Sequence, residues 1–155
     1  MSSQEIIDDL AKSGLVPEDI KARPVTAAEQ AATRIRAGGD GPVGYVIPYN
    51  DFNEKPTQFY RVKLLSDTEQ IEQVKYKQLP NTPNHVYFPP GILQCIEELG
   101  KAYRRRQSRL ARPCIILTEG EKKAACAVKP GIPAVALGGV YSWRNRIVQV
   151  PDDAE

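Results

Sequence analysis

Residues Cys114 to Gly139, CIILTEGEKKAACAVKPGIPAVALGG, constrain the fold of this chain more than any other stretch. Cys114 to Leu117 is an apolar run without alternation, the pattern of a strand buried on both faces. Thr118-Glu119-Gly120 breaks it, and Glu121 to Val128 then switches to Lys, Ala and Glu, which favour helix. Lys129-Pro130-Gly131 ends that helix, and Ala134 to Leu137 makes a second apolar strand before Gly138-Gly139. Strand, helix, strand predicts a βαβ unit with parallel strands, 114–117 beside 134–137. In such units ligands gather beyond the carboxyl ends of the strands, where Thr118–Gly120 and Gly138–Gly139 fall.

Upstream, Ser3 to Lys12 predicts a short acidic helix ended by Ser13-Gly14, and Pro17 to Ile20 one further turn. Thr26 and Glu29 have the spacing of a capping box, opening a helix that runs to Ala37 before Gly38-Gly39. Val43–Tyr49 and Gln58–Leu65 are rich in aromatic and β-branched residues and flank a polar tip, which predicts an antiparallel hairpin. By period two Phe59, Arg61 and Lys63 share one face and Tyr60, Val62 and Leu64 the other, so one face is core and the other basic. Ser66 to Gln73 reads as a loop with room for a helical turn. Val74–Leu79 and Val86–Phe88 read as short strands about the turn at 80–84. Pro90 suits the first turn of a helix that carries Ile92, Ile96, Leu99, Tyr103 and Leu110 at helical spacing.

The whole is expected to be α/β (or α+β), with N-terminal helices and an antiparallel hairpin packed on the βαβ unit. Residues 1–90 and 91–155 are its two segments, in one compact domain. An apolar content of 41% is enough for a core, and no apolar run reaches the length of a bilayer span. The acidic N-terminus has no signal-peptide pattern, and three cysteines without a Cys-x-x-Cys read as reduced thiols in the cytoplasm. With His85 as the single histidine, a structural zinc site is not expected.

Net charge is only +2, yet Lys101, Arg104, Arg105, Arg106, Arg109 and Arg112 follow one another with no acid between them. Such a cluster suits the phosphates of a nucleic acid, although cations near a helix C-terminus also complement its dipole. Lys122 and Lys123 sit in a first helical turn, where cations oppose the dipole unless an anion docks there; one of the two is expected to be merely solvated. Gly120, Gly138 and Gly139 either admit a phosphate to the backbone or serve tight turns. Trp143, near Arg144 and Arg146, either stacks on a base or packs as core or lid. Glu119, at a strand tip, is placed for metal or general-base chemistry; as a helix-start acid it is less well placed than Glu121.

The string Thr118-Glu119-Gly120-Glu121-Lys122-Lys123-Ala124, with Ala134–Val140 and Trp143, resembles the first half of a Toprim domain. The closest version is that of phage and mobile-element primase–helicase proteins. Gly44–Tyr49, Tyr60–Lys63, Lys75-Tyr76 and Tyr87–Pro90 are similar to the segment that precedes it there. The resemblance implies a DNA-replication module that binds single-stranded DNA or a primer-template. A helicase domain or another replication protein would be its partner, and Glu119 would hold Mg²⁺ for nucleotidyl transfer. Toprim domains also carry an Asp-x-Asp pair on a later strand, and Asp152-Asp153 is neither that motif nor far enough from Gly139. Catalysis is therefore expected only where such a pair is supplied. The alternative is a non-catalytic module on a degenerate Toprim scaffold that binds single-stranded DNA or a replication partner.

Overall fold

The computed structural model describes residues 4–36, 43–106 and 113–138. Helix α1 (Gln4–Ala11) turns Ile6 and Leu10, one helical turn apart, into the core. The single-turn α2 (Pro17–Ile20) begins with proline, and its Asp19 carboxylate accepts from Val16 N–H at 2.8 Å. After strand β1 (Arg23–Pro24), helix α3 (Ala27–Ala32) opens on the predicted box: Glu29 N donates to Thr26 Oγ1, and Thr26 N to Glu29 Oε2. It stops at Ala32, short of the expected Ala37, because Arg34 turns left-handed at φ 54° and drops Ile35 into a core cluster.

Strands β2 (Gly44–Asn50) and β3 (Pro56–Leu64) form the expected antiparallel hairpin, in the register Val46↔Val62 with a bulge between Pro48 and Asn50. Gly44 is required by close approach, since a Cβ there would lie 2.2 Å from Lys63 O. Helix α4 (Ser66–Glu72) occupies the segment read as a loop; Asp67 and Glu69 suit its first turn, and Gln73 at φ 56° ends it. Strand β4 (Tyr76–Gln78) pairs with β3, which completes a sheet in the order β1-β2-β3-β4.

The expected division of this sheet into a core face and a basic face is corrected by the structure, because both faces are covered. Val46, Val62 and Leu64 pack with Val25, Ile35 and Val43 on one side. On the other, Tyr45, Ile47, Tyr49 and Phe59 join the main core, and Arg61 and Lys63 turn inward with them. Lys63 is accommodated by Leu64 O at 2.6 Å and by Glu69 of α4 at 3.0 Å.

Strand β5 (Val86–Tyr87) does not join β4 but enters a second sheet. Helix α5 (Ile92–Arg106) follows Gly91 and buries Ile92 and Cys95, while Tyr103 stays exposed. Strand β6 (Ile116–Thr118), helix α6 (Glu121–Val128) and strand β7 (Ala134–Leu137) make the βαβ unit. Its strands are parallel, Ile116↔Ala134 through Thr118↔Ala136, as the apolar runs predicted. The second sheet runs β5-β7-β6, with β5 antiparallel to β7. Burial of 114–117 on both faces is overturned: Cys114 is exposed, and Ile115, Ile116 and Leu117 are 52%, 43% and 62% exposed. The cause is position, since among the described residues β6 lies at the sheet edge and β7 takes the centre.

Ala124, Ala125 and Val128 of α6 meet Ala134 and Ala136 in the cluster that also holds Ile6, Leu10, Tyr49 and Ile92. The fold is thus a mixed α/β architecture in which two sheets share one core. Among the described residues no helix is long and apolar enough to cross a membrane.

Candidate functional site

The carboxyl ends of β6 and β7 open into a cleft of about 740 Å³, closed on its far side by β3 and β4. The βαβ unit lines it with Glu119, Gly120, Glu121, Lys122, Lys123, Cys126 and Gly138, the first sheet with Arg61 and Tyr76, and Lys75 just before β4 completes that side. Two of its residues are acids with opposite surroundings. Glu119 follows the last residue of β6, is half exposed, and forms an ion pair with Lys123 one helical turn on. That ammonium holds the Glu119 carboxyl below the usual glutamate range.

Glu121 is fully buried. Its Oε1 accepts from Tyr49 Oη at 2.6 Å and from Arg61 Nη1 at 2.7 Å, while Oε2 has no hydrogen-bond partner among the described residues. Arg61 is fixed a second time by Tyr76, whose ring centroid lies 4.7 Å from the guanidinium carbon. Burial opposes the guanidinium charge, and the neighbouring Glu121 more than offsets it, so the Arg61 pKa is raised. Burial, reinforced by the same carboxylate, pushes the Tyr49 phenol up, which keeps it a donor. Glu121 also sits at the first position of α6, so the helix-start role expected of it holds alongside the ion pair.

The two lysines divide. Lys122 reaches back to α1, donating to Asp9 Oδ2 at 3.1 Å and Asp9 O at 3.2 Å, and Tyr45 Oη donates to the same carboxylate. Burial raises the Asp9 carboxyl, but these donors outweigh it and leave the pKa lowered. Lys123 stands at the mouth, 65% exposed. Lys75 has no charged partner among the described residues.

The glycines divide as well. A Cβ at Gly120 would meet nothing within 4 Å, and its φ of −156° is ordinary extended backbone, so neither packing nor conformation demands glycine there. At Gly138 a Cβ would lie 2.8 Å from Arg61 Nη1, so the missing side chain makes room for the protein's own guanidinium.

The basic helix is not part of this cleft; among the described residues none of α5 lines it. Lys101 pairs with Glu98 at 2.7 Å, an acid just upstream of the cluster, and Arg104 is exposed. The backbones of Arg105 and Arg106 continue α5, but their side chains lie outside the described set, as do Arg109, Arg112, Gly139 and Trp143.

A protein-held Mg²⁺ needs several oxygen ligands at near-octahedral positions. Among the described residues no three His, Cys, Asp or Glu side chains are grouped to share a metal. The cleft's two carboxylates already face Lys123 and Arg61. These residues do not fit a Mg²⁺ site by themselves. Sequence reasoning passed over Glu121 as a site residue and did not place Tyr49, Lys75 or Tyr76 in a site. The signal for Arg61 was its place on the Phe59–Lys63 face.

Residues 108–153 match a family described as a domain of unknown function, DUF3854. Of that span the structure describes 113–138, which is the βαβ unit. No curated protein and no solved structure shows a significant match to the chain.

Proposed function

We propose that this chain is a nucleic-acid-binding module of a DNA-replication protein, holding single-stranded DNA or a primer-template through its phosphates. The observation that carries this reading is the convergence of Arg61, Lys75, Lys122 and Lys123 on one cleft at the carboxyl ends of two parallel strands. The likeness of TEGEKKA and its βαβ setting to the Toprim domains of primase–helicases supports a polynucleotide over a small anion. The basic stretch that begins at Lys101 extends the charge available to a DNA backbone. Glu119, half exposed in the cleft lining and paired with Lys123, is the carboxylate this reading assigns to Mg²⁺-dependent nucleotidyl transfer where further carboxylates are supplied.

The test is fluorescence anisotropy with a labelled oligothymidylate at several salt concentrations. The intact chain binds, and log affinity falls linearly with log salt. Replacing Lys75 and Lys123 with Ala lowers both the affinity and the slope. Absence of binding by the unaltered chain at low salt overturns the proposal.

A further inference from the structure

We infer that Arg61, supplied by β3 sixty residues before the helix it pairs with, is the phosphate-contacting residue at the centre of this cleft, and that Gly138 is glycine in order to admit it. The inference rests on the polynucleotide reading above and assigns its central contact.

The cations of the cleft are not equivalent. Lys122 directs its contacts at Asp9, and Lys123 faces Glu119. Lys75 is exposed, on a flexible stem that must be ordered before it can bind. Arg61 is held from two sides, by Glu121 at 2.7 Å and by the Tyr76 ring, and it is a guanidinium rather than an ammonium. A guanidinium has five N–H donors; Nη1 donates to Glu121, Nε is buried, and the side chain keeps 12% of its surface where it lines the cleft. The group is therefore preorganised, which lowers the cost of ordering it around an acceptor that reaches its accessible part.

The neighbouring carboxylate does not cancel this. Glu121 is fully enclosed, whereas the Arg61 side chain keeps 12% of its surface, so a ligand meets the guanidinium first. Glu121 acts as the tether that aims it. Gly138 sits where β7 ends, and any side chain there would press on Arg61 Nη1.

The decisive variant is the double substitution Arg61→Met with Glu121→Met, which removes one charge of each sign and leaves net charge unchanged. A buried ion pair replaced by apolar groups of similar volume is commonly tolerated. A purely structural pair predicts unaltered binding of the oligothymidylate. A phosphate contact predicts an affinity loss of about tenfold and a log–log salt slope shallower by about 0.7, one contact fewer on a single strand. Gly138→Ala serves if the double variant does not fold, since the flexible guanidinium gives way before the backbone does. It is expected to bind at least about threefold more weakly, with a shallower slope. If the unaltered chain binds and the folded variant keeps its affinity and slope, Arg61 is no phosphate contact although the cleft reading stands. If the unaltered chain does not bind, the cleft reading itself has failed.

Discussion

Tyr49 Oη lies 2.6 Å from Glu121 Oε1, joining residues 72 apart in the chain and fastening the hairpin to the first turn of α6. The carboxylate it meets is fully buried and also holds Arg61, so one oxygen ties β2, β3 and the βαβ unit together. Removal of any member leaves the others desolvated with a partner missing.

Tyr49→Phe removes one donor and leaves the ion pair intact. The expected loss is about 1–3 kcal/mol in unfolding free energy. Glu121→Ala strands Arg61 in the core and is expected to cost about 3–5 kcal/mol. Urea titrations of the two variants check the order; equal stability of Glu121→Ala and the unaltered chain would remove the buried pair from the account of the fold.

Gly44→Ala places a methyl group against Lys63 O at the open end of the hairpin ladder. Neither backbone can withdraw without breaking the register Gly44↔Leu64. Thermal unfolding is expected to show one of the largest losses of any single substitution, while Gly120→Ala, whose Cβ meets nothing, leaves the midpoint almost unmoved.

Stability falls on the acid side. Glu29, beside the Arg23 guanidinium, is lowered to about 2, and Asp9 and Asp19 are lowered as well. A depressed folded pKa contributes stability that is fully present above the unfolded value, near 4.5 for Glu29, and lost as pH falls toward 2. Arg23 is 48% exposed, so screening reduces the Glu29 contribution to about 1 kcal/mol. Glu29→Gln is expected to flatten the pH dependence between those limits; an unchanged acid limb would place the acid sensitivity elsewhere.

The α5 cluster is tested by Arg104, Arg105 and Arg106 replaced together with Ala. Fewer displaced counterions mean weaker oligothymidylate binding and a shallower salt slope. An unchanged slope would reduce the cluster to a solvated helix end.

Magnesium without nucleotide is expected to bind only weakly, because Glu119 faces Lys123 and Glu121 faces Arg61. Isothermal titration should give no measurable heat at micromolar Mg²⁺, and Lys123→Ala should strengthen binding slightly by releasing Glu119. Micromolar affinity in the unaltered chain would mean that a complete ligand set exists.

Much of the local architecture was legible because its causes are local. The Thr26–Glu29 box, the hairpin and the parallel pair follow from contacts a few residues apart or from runs of one residue type. Helix α6 was read to its ends, Glu121 and Val128, since helix formers give way abruptly to Lys129-Pro130-Gly131. Where propensity was weak, as in Ser66–Glu72, helix and loop were not separable by pattern.

The order of strands was decided only by tertiary structure. The run Cys114–Leu117 has the composition of a central strand, yet among the described residues β7 takes the centre and leaves β6 at the edge. Composition reports how apolar a segment is, and burial depends on which neighbours arrive on each side. Charge shows the same limit. Glu119 and Glu121 are two residues apart in one motif, but only Glu121 meets Tyr49 and Arg61, brought from 72 and 60 residues away. Sequence by itself determined the elements with strong local signals, the capped start of α3, the hairpin and the βαβ unit, because those signals arise within a few residues. The tertiary fold decided which charges are buried together, because desolvation and pairing depend on distance in space.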